Sequence, residues 1–306
     1  MSERFTAPID GATRYCAVFG HPVRHSASPV MQNAGLASLG LNWRYLAFDV
    51  HPDHLRAALA GAKRMNFIGL NLTVPHKTLA FEMVDARDAS AEAWGTVNTI
   101  CFEVRDNDGQ WRGLADLAEP ASEIRARGFN TDAEAVIRSL REDLGFCPEG
   151  KRVLLLGAGG AGRTAALKLA AERVAELFLV NRTRSKAQAV AAEIRDRYPA
   201  VTVTTEYPAG EIDLLLNATS LGLSAGDPLP LAVKRFRPEQ ASAVYDMIYR
   251  PAATALLALA EKAGCRTANG LGMLLYQGAA ALEIWTGKPA PVAIMREALQ
   301  KSIYGQ

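Results

Sequence analysis

The sequence predicts an α/β protein of two domains, each built around a largely parallel sheet. Three observations carry this. The stretch 151–186, KRVLLLGAGGAGRTAALKLAAERVAELFLVNRTRSK, reads as strand, glycine turn, helix, strand. Short apolar runs alternate with helical periodicity on either side of it, the rhythm of strands joined by crossover helices. And 306 residues suffice for about two such layers on the usual relation of length to domain number.

Taken in order, Tyr15 to Gly20 is an apolar run fit for a strand, closed by a turn at His21-Pro22. Pro29 to Leu39 has helical spacing, with Ser28 placed to cap it and Pro29 to open it. Trp43 to Val50 is a second strand, and Asp53 to Met65 a helix with Asp53 as its cap. Ile68 to Val74 is a third strand, stopped by Pro75. Residues 106–113 contain Asp108-Gly109, the corner of a hairpin. Leu114 to Gly128 is polar and alanine-rich and reads as helical; Ala133 to Leu144 is a helix leading into the second half. There the expected elements are strands at Val153–Leu156, Leu177–Val180, Val201–Thr205, Asp213–Leu216 and Ala243–Asp246. Helices are expected at Ala161–Glu172, Ser185–Tyr198, Pro251–Ala263, Leu274–Trp285 and Val292–Ile303.

Composition removes several function classes. The 49% hydrophobic and 22% charged content is that of an ordinary water-soluble globular chain. A net charge of +2 gives no general field for nucleic acid or a membrane surface. Cys16, Cys101, Cys147 and Cys265 are scattered without C-x-x-C, so neither a disulfide framework nor a zinc site is expected. The five histidines form no metal-ligand pattern. The first residues lack the apolar run of a signal peptide, and a cytoplasmic location is expected.

The glycine turn is the most specific local signal. Gly157, Gly159 and Gly162 satisfy G-x-G-x-x-G directly after an apolar strand and at the start of a helix. The first glycine permits a tight turn, the second close approach of a pyrophosphate, and the third close packing of helix on strand. The helix would aim its positive end at the phosphates. The alternative is a purely structural βα turn. Dinucleotide sites for NAD usually place an Asp or Glu at the end of the second strand, where it accepts hydrogen bonds from the ribose 2′-hydroxyl. Here that place is held by Asn181-Arg182-Thr183-Arg184, with Lys186 beyond. A carboxylate would repel a 2′-phosphate, whereas guanidinium groups grip one with charge-assisted hydrogen bonds. This chemistry favours NADP over NAD, against the alternative of a basic, solvated helix start.

Three polar clusters in the first half lie where a strand gives way to another element. Ser26 and Ser28, in His25-Ser26-Ala27-Ser28-Pro29, can present two hydroxyls to a small polar ligand; the alternative is helix capping. Asn71 and Thr73 share one face of a strand by alternation, and Lys77 follows the turn at Pro75, although a lone lysine is ordinarily a surface charge. Asn98, in Gly95-Thr96-Val97-Asn98-Thr99, carries both a donor and an acceptor. Asp132, in Phe129-Asn130-Thr131-Asp132, opens a helix and by default complements its dipole.

Taken together, HSASP (25–29), NLTVPHK (71–77), GTVNT (95–99), FNTD (129–132), GAGGAG (157–162), NRT (181–183), NATSLG (217–222), YDMIY (245–249) and NGLGMLLYQ (269–277) resemble the shikimate dehydrogenase family. They occur in the family's order over nearly the whole chain. The resemblance implies a substrate domain, 1–132, joined by the C-terminal helices 274–306, and a Rossmann domain for NADP, 133–273, with the active site in the cleft between them. By motif, Ser26 and Ser28 would hold the substrate carboxylate, and Thr73, Asn98, Tyr249 and Gln277 its carboxylate or ring hydroxyls. Lys77 and Asp132 would be the catalytic pair. Gly157, Ala158, Gly159, Gly160 and Ala161 would take the pyrophosphate. Asn181, Arg182, Thr183 and Lys186 would face the adenosine ribose and its 2′-phosphate, and Met247 and Gly270 the nicotinamide.

The implied reaction is reversible hydride transfer between the nicotinamide of NADP and a ring carbon bearing a hydroxyl, with a small-molecule substrate and a monomer or homodimer as the working unit. Three departures bear on it: the extra residues around Leu114 to Gly128, Asn269 in place of an aspartate before Gly270, and Lys186 in place of an arginine. They leave room for a paralogue acting on quinate, aminoshikimate or a related cyclohexene carboxylate, with NAD in place of NADP. A non-catalytic nucleotide sensor on the same fold is the reading from another class.

Overall fold

The computed structural model describes residues 9–116 and 123–305. It divides into two compact units, Met1–Thr131 with Leu275–Gln306, and Asp132–Leu274.

The first unit contains β1 (Arg14–Gly20), α1 (Ser28–Ser38), β2 (Trp43–Asp49), α2 (Leu55–Arg64), β3 (Gly69–Leu72), α3 (His76–Phe81), β4 (Ala86–Arg87), α4 (Ala89–Trp94), β5 (Thr99–Arg105), β6 (Trp111–Gly113) and β7 (Ile124–Phe129). The sheet order is β2-β1-β3-β5-β7-β4, with β6 beside β5. β1 is parallel to β2 and β3, but β5 runs antiparallel to β3, β6 and β7. The largely parallel layer expected here is therefore a mixed sheet. The β5–β6 pair is closed by a hairpin, where the Asp106 carboxylate accepts the N–H groups of Asp108 and Gln110 around Gly109 at φ 79°. A short hairpin can join only antiparallel strands.

Two helices from the end of the chain complete this unit's core, part of α9 (Leu271–Thr286) and α10 (Val292–Tyr304). Trp285 is almost wholly buried, and its indole N–H donates to the Ile100 carbonyl at 2.9 Å. It fits because Gly69 has no side chain: a Cβ there would lie 2.0 Å from the indole nitrogen. Met295 and Leu299 of α10 are fully buried, and Gly35 and Gly278 let α1 approach them and α9.

Several sequence expectations need correction in this unit. Ser28 does not cap α1: Ala27 holds the cap position, Ser28 is the first helical residue, and its N–H donates to Ser26 Oγ at 3.3 Å. Asp53 does not cap α2; it lies in a 3-10 turn, Pro52–His54, whose cap is the His51 ring accepting the Asp53 N–H. The stretch expected as a helix over Leu114–Gly128 instead ends in β7, with a 3-10 turn at Leu114–Asp116 and residues 117–122 outside the described part. The alternation in IRARGF, paired along β5, outweighs the alanine content. Pro75 leads directly into α3, which carries Lys77 in its first turn.

The second unit contains α5 (Asp132–Leu144), β8 (Arg152–Leu156), α6 (Gly160–Ala171), β9 (Glu176–Val180), α7 (Arg184–Arg197), β10 (Thr202–Thr204), β11 (Ile212–Asn217), β12 (Ala241–Asp246), α8 (Ala255–Lys262) and β13 (Arg266–Asn269), and the start of α9. Its sheet is entirely parallel, in the order β10-β9-β8-β11-β12-β13. This is the doubly wound order, which reverses between β8 and β11. Leu154, Leu156, Leu215, Val244 and Leu256 are central to one of its buried cores. Pro251 does not open α8. Thr254 caps it, accepting the Leu257 N–H on Oγ1, so the helix starts at Ala255. Edge strand β13 was not expected, because RTAN has no apolar run to announce it. No helix among the described residues is long and apolar enough to cross a membrane.

Candidate active site

In the first unit the polar clusters converge at one edge of the sheet, at the carboxyl ends of β1 and β3 and the start of antiparallel β5. The Thr73 N–H donates to the Phe19 carbonyl at 3.0 Å, and a Cβ on Gly20 would lie 2.4 Å from Thr73 Cγ2. The Leu72 N–H donates to the Asn98 carbonyl at 2.8 Å, and the Val97 N–H to the Lys77 carbonyl at 2.9 Å. Ser26 and Ser28 lie in the turn from β1 into α1. The structure thus brings Ser26, Ser28, Thr73, Lys77 and Asn98 to one edge. Gln277 comes from α9, beside Gly278, whose carbonyl accepts from buried Gln32 of α1 at 2.9 Å. Asp132 and Tyr249 belong to the other unit.

Asn98 is almost fully buried and held by Thr131: its Oδ1 accepts the Thr131 N–H at 2.8 Å and its Nδ2 donates to Thr131 Oγ1 at 2.9 Å. Thr99, Asn71 and Tyr45 extend this network inward. The sequence singled out Asn71 and Asn98 but not Tyr45. The Asn-Thr pairs at 98–99 and 130–131 were a visible signal, whereas nothing local marks Tyr45.

In the second unit the glycine turn follows β8 at the point where the strand order reverses. Gly157 has φ 107°, and a Cβ on it would lie 2.9 Å from the Ala218 carbonyl, after β11. A Cβ on Gly162 would lie 2.2 Å from the Gly157 carbonyl oxygen, so only glycine lets α6 start this close to the strand. At Gly159 and Gly160 a Cβ would meet nothing within 4 Å, and no side chain caps α6. The turn therefore leaves its tip open, with the helix N-terminus behind it, as a pyrophosphate requires.

Asn181 ends β9 and uses its amide on the fold. Oδ1 accepts the Ala158 N–H at 3.1 Å and Nδ2 donates to the Thr183 carbonyl at 2.8 Å. Of the cations that follow, Arg184 pairs with Glu206 at 2.6 Å, and Glu206 also pairs with Arg235 at 3.0 Å. Arg182 and Lys186 are exposed and make no ion pair among the described residues. The residues present fit a 2′-phosphorylated dinucleotide: an open glycine turn, an amide where a carboxylate would repel, and two available positive charges.

Met247 and Tyr249 follow β12, and Gly270 follows β13. A Cβ on Gly270 would lie 1.9 Å from the Met247 carbonyl oxygen, and the Gly270 N–H donates to the Ile248 carbonyl at 3.1 Å. Beneath them lies a buried carboxylate that sequence reasoning passed over. Asp246 accepts from Thr254 Oγ1 at 2.7 Å, Asn217 Nδ2 at 2.9 Å and the Ile248 N–H at 3.1 Å. Burial raises its pKa above the ordinary carboxylate value despite these three donors. Its signal in the sequence was two polar strand ends, Asn217 and Asp246, in neighbouring strands. Asn269 has a structural role: its Oδ1 accepts the Leu271 N–H at the start of α9 and its Nδ2 donates to the Ala252 carbonyl.

Among the described residues no group of His, Cys, Asp or Glu could hold a metal ion. The rings of His21, His51 and His54 gather beyond β1 and β2, but His21 is engaged by Asp49 at 2.6 Å.

Three family models match the chain: the shikimate dehydrogenase substrate-binding domain over residues 18–100, shikimate/quinate 5-dehydrogenase over 141–222, and the shikimate 5′-dehydrogenase C-terminal domain over 270–300. A shikimate dehydrogenase (NADP+) of Moorella thermoacetica is 43% identical over 96% of this chain and 95% of its own. A crystal structure of shikimate dehydrogenase in complex with NADP+ superposes with a TM-score of 0.83 at 34% identity, covering 98% of this chain and 99% of the other. The enzyme of Thermus thermophilus in complex with NADP(H) and shikimate superposes with a TM-score of 0.79 at 35% identity, over 94% and 99%. With identity at this level along almost the full length, the chain belongs to the shikimate dehydrogenase family.

Proposed function

We propose that this protein is an NADP-dependent oxidoreductase that interconverts shikimate and 3-dehydroshikimate. The observation that carries this reading is the open glycine turn followed by Asn181, Arg182 and Lys186, in a chain whose relatives are named shikimate dehydrogenase (NADP+). NADP supplies the hydride acceptor and donor; the protein must bind, orient and move one proton. Gly157 to Ala161 receive the pyrophosphate at the start of α6, Arg182, Thr183 and Lys186 the 2′-phosphate, and Met247 and Gly270 the nicotinamide. Ser26 and Ser28 hold the substrate carboxylate, and Thr73, Asn98, Tyr249 and Gln277 its remaining oxygens.

Lys77 and Asp132 form the catalytic pair in this reading. A lysine side chain is ordinarily an ammonium at neutral pH, so Lys77 suits donation of a proton to the alkoxide that forms when the ketone is reduced. In the other direction the neutral amine, formed once the ammonium has given up its proton, takes the hydroxyl proton as hydride leaves. A carboxylate favours the charged ammonium, so Asp132 orients Lys77 and the substrate hydroxyl rather than easing deprotonation. The working unit is a cytoplasmic monomer or homodimer with no nucleic-acid partner.

The test is a four-way steady-state assay, shikimate and quinate each with NADP and NAD. Turnover of shikimate with NADP should exceed the other three combinations in kcat/KM. Preference for quinate, or for NAD, would overturn the reading, and absent turnover with tight NADP binding would mark a nucleotide sensor instead.

A further inference from the structure

We propose that Tyr45 is a positioning residue for substrate recognition: its phenol, acting through Asn71 and Thr99, fixes which way the Asn98 amide faces. The inference rests on the reading above, in which Asn98 contacts the substrate.

Tyr45 lies on β2 and is completely buried. Its O–H donates to Asn71 Oδ1 at 2.7 Å. The direction is forced from the other end of Asn71, whose Nδ2 donates to Thr99 Oγ1 at 3.0 Å and to the Asn98 carbonyl at 3.3 Å. With its nitrogen so placed, Asn71 presents only an acceptor to Tyr45. Burial raises the phenol well above its ordinary pKa, so the proton that Asn71 needs is always present. Thr99 Oγ1, having received Asn71, lies 3.3 Å from both Asn98 Oδ1 and Thr131 Oγ1 and can donate onward. Asn98 then completes the chain with Thr131, its oxygen turned to the Thr131 N–H. Reversing the Asn98 amide would set two nitrogens face to face at 2.8 Å, and every link back to Tyr45 opposes it.

The backbone of Tyr45 is tied to the start of α1. Asn33 of α1 accepts the Tyr45 N–H on Oδ1 at 2.9 Å, and its Nδ2 donates to the carbonyls of Tyr45 and Pro29, both at 2.8 Å. One buried residue therefore ties the first turn of α1, which opens with Ser28, to the chain just before β5, where Asn98 stands. A buried polar chain of this kind holds a geometry only while every member is satisfied.

The experiment compares wild type, Tyr45→Phe, Thr99→Val and the double variant. It reads kcat, KM for shikimate and KM for NADP, with the hydrogen-exchange rate of the Asn98 side-chain amide measured by NMR on the same proteins. Tyr45→Phe leaves Asn71 Oδ1 buried without a donor and should raise the shikimate KM about 10-fold, with the NADP KM unchanged. Thr99→Val, which keeps the phenol, should give the same split. The double variant should be no worse than the worse single, since both break one chain. In both singles the Asn98 amide should exchange at least about 10-fold faster than in wild type. An unchanged shikimate KM, or equal rises in both KM values with a lowered Tm, would overturn the inference and leave a merely structural network. If wild type does not turn over shikimate, the functional reading falls, and the amide exchange alone decides whether Tyr45 sets Asn98.

Discussion

At the end of β9, Asn181 divides its amide between the glycine turn and the backbone of Thr183, so it shapes the cofactor site without adding charge. The charge comes from the residues after it, and here the structure separates cations that look alike in the sequence. Arg184 is held by Glu206, whereas Arg182 and Lys186 are exposed and make no ion pair among the described residues. Arg182→Ala should therefore raise the NADP KM about 10- to 100-fold, the loss of one charge-assisted hydrogen bond, while leaving the NAD KM nearly unchanged. Arg184→Ala should do much less. Parallel losses with both cofactors would place Arg182 in the fold rather than on the phosphate. Lys77→Ala tests the chemistry itself: kcat should fall about 10²- to 10⁴-fold, the usual worth of a positioned general acid–base, with the shikimate KM changed little. Asn181 and the cations after it stand out in the sequence because they hold a place where a carboxylate is usual, whereas Lys77 is singled out by the family resemblance alone. The helix caps were less legible: Ser28 and Asp53 each have a neighbour two residues earlier, Ser26 and His51, whose side chain accepts their N–H, and local sequence does not rank such neighbours.

Among elements, the doubly wound sheet was the most legible part of the fold, because β8, β9, β11 and β12 are short apolar runs that only a two-sided burial explains. Strand β7 was the least, and the reason is ionic. Its arginines make its alternation look like a solvated stretch, but Arg125 and Arg127 both pair with Glu103 of β5, at 2.6 and 3.4 Å, and Arg125 also stacks on Trp111. Two further carboxylates hold its edge. Asp85 accepts the Ala126 N–H at 2.7 Å and pairs with Lys63 at 2.8 Å; Asp88 caps α4 and pairs with Arg127 at 3.2 Å. Burial alone would raise both carboxyls, but these donors and cations outweigh it and hold both below the ordinary value of 3.8. Groups lowered on folding stabilise the fold above their unfolded pKa and cease to do so as pH falls through the lowered one. Amide protection along β7 should accordingly decline as pH is lowered below about 4, ahead of protection in β1 and β3, whose core positions carry no such carboxylates. Hydrogen exchange read by mass spectrometry would check this, and simultaneous loss across the sheet would contradict it.

For the whole molecule, the first unit is discontinuous in sequence: its sheet is finished before Asp132, yet its core is closed by α9 and α10, more than 140 residues later. No periodicity in either segment announces that return, and only the family resemblance pointed to it. Its energetic centre is Trp285, buried against Gly69 with its indole N–H on Ile100. Removing a buried tryptophan side chain costs about 3–5 kcal/mol, and here it also leaves the space over Gly69 empty. Trp285→Ala should thus destabilise the first unit selectively. The chain's four tryptophans, Trp43, Trp94, Trp111 and Trp285, all lie in that unit, so fluorescence reports it alone, whereas far-ultraviolet circular dichroism reports both. In the variant the fluorescence transition should move to lower denaturant and separate from the later part of the dichroism transition. Adding NADP at a hundred times its Kd stabilises whatever binds it by about 2.7 kcal/mol. If the glycine turn is the cofactor site, that increment belongs to the second unit: the late dichroism transition should move up while the fluorescence midpoint stays in place. A fluorescence midpoint that rises with NADP by the full increment would mean that the two units unfold as one, and that α9, which begins in one and ends in the other, transmits stability between them.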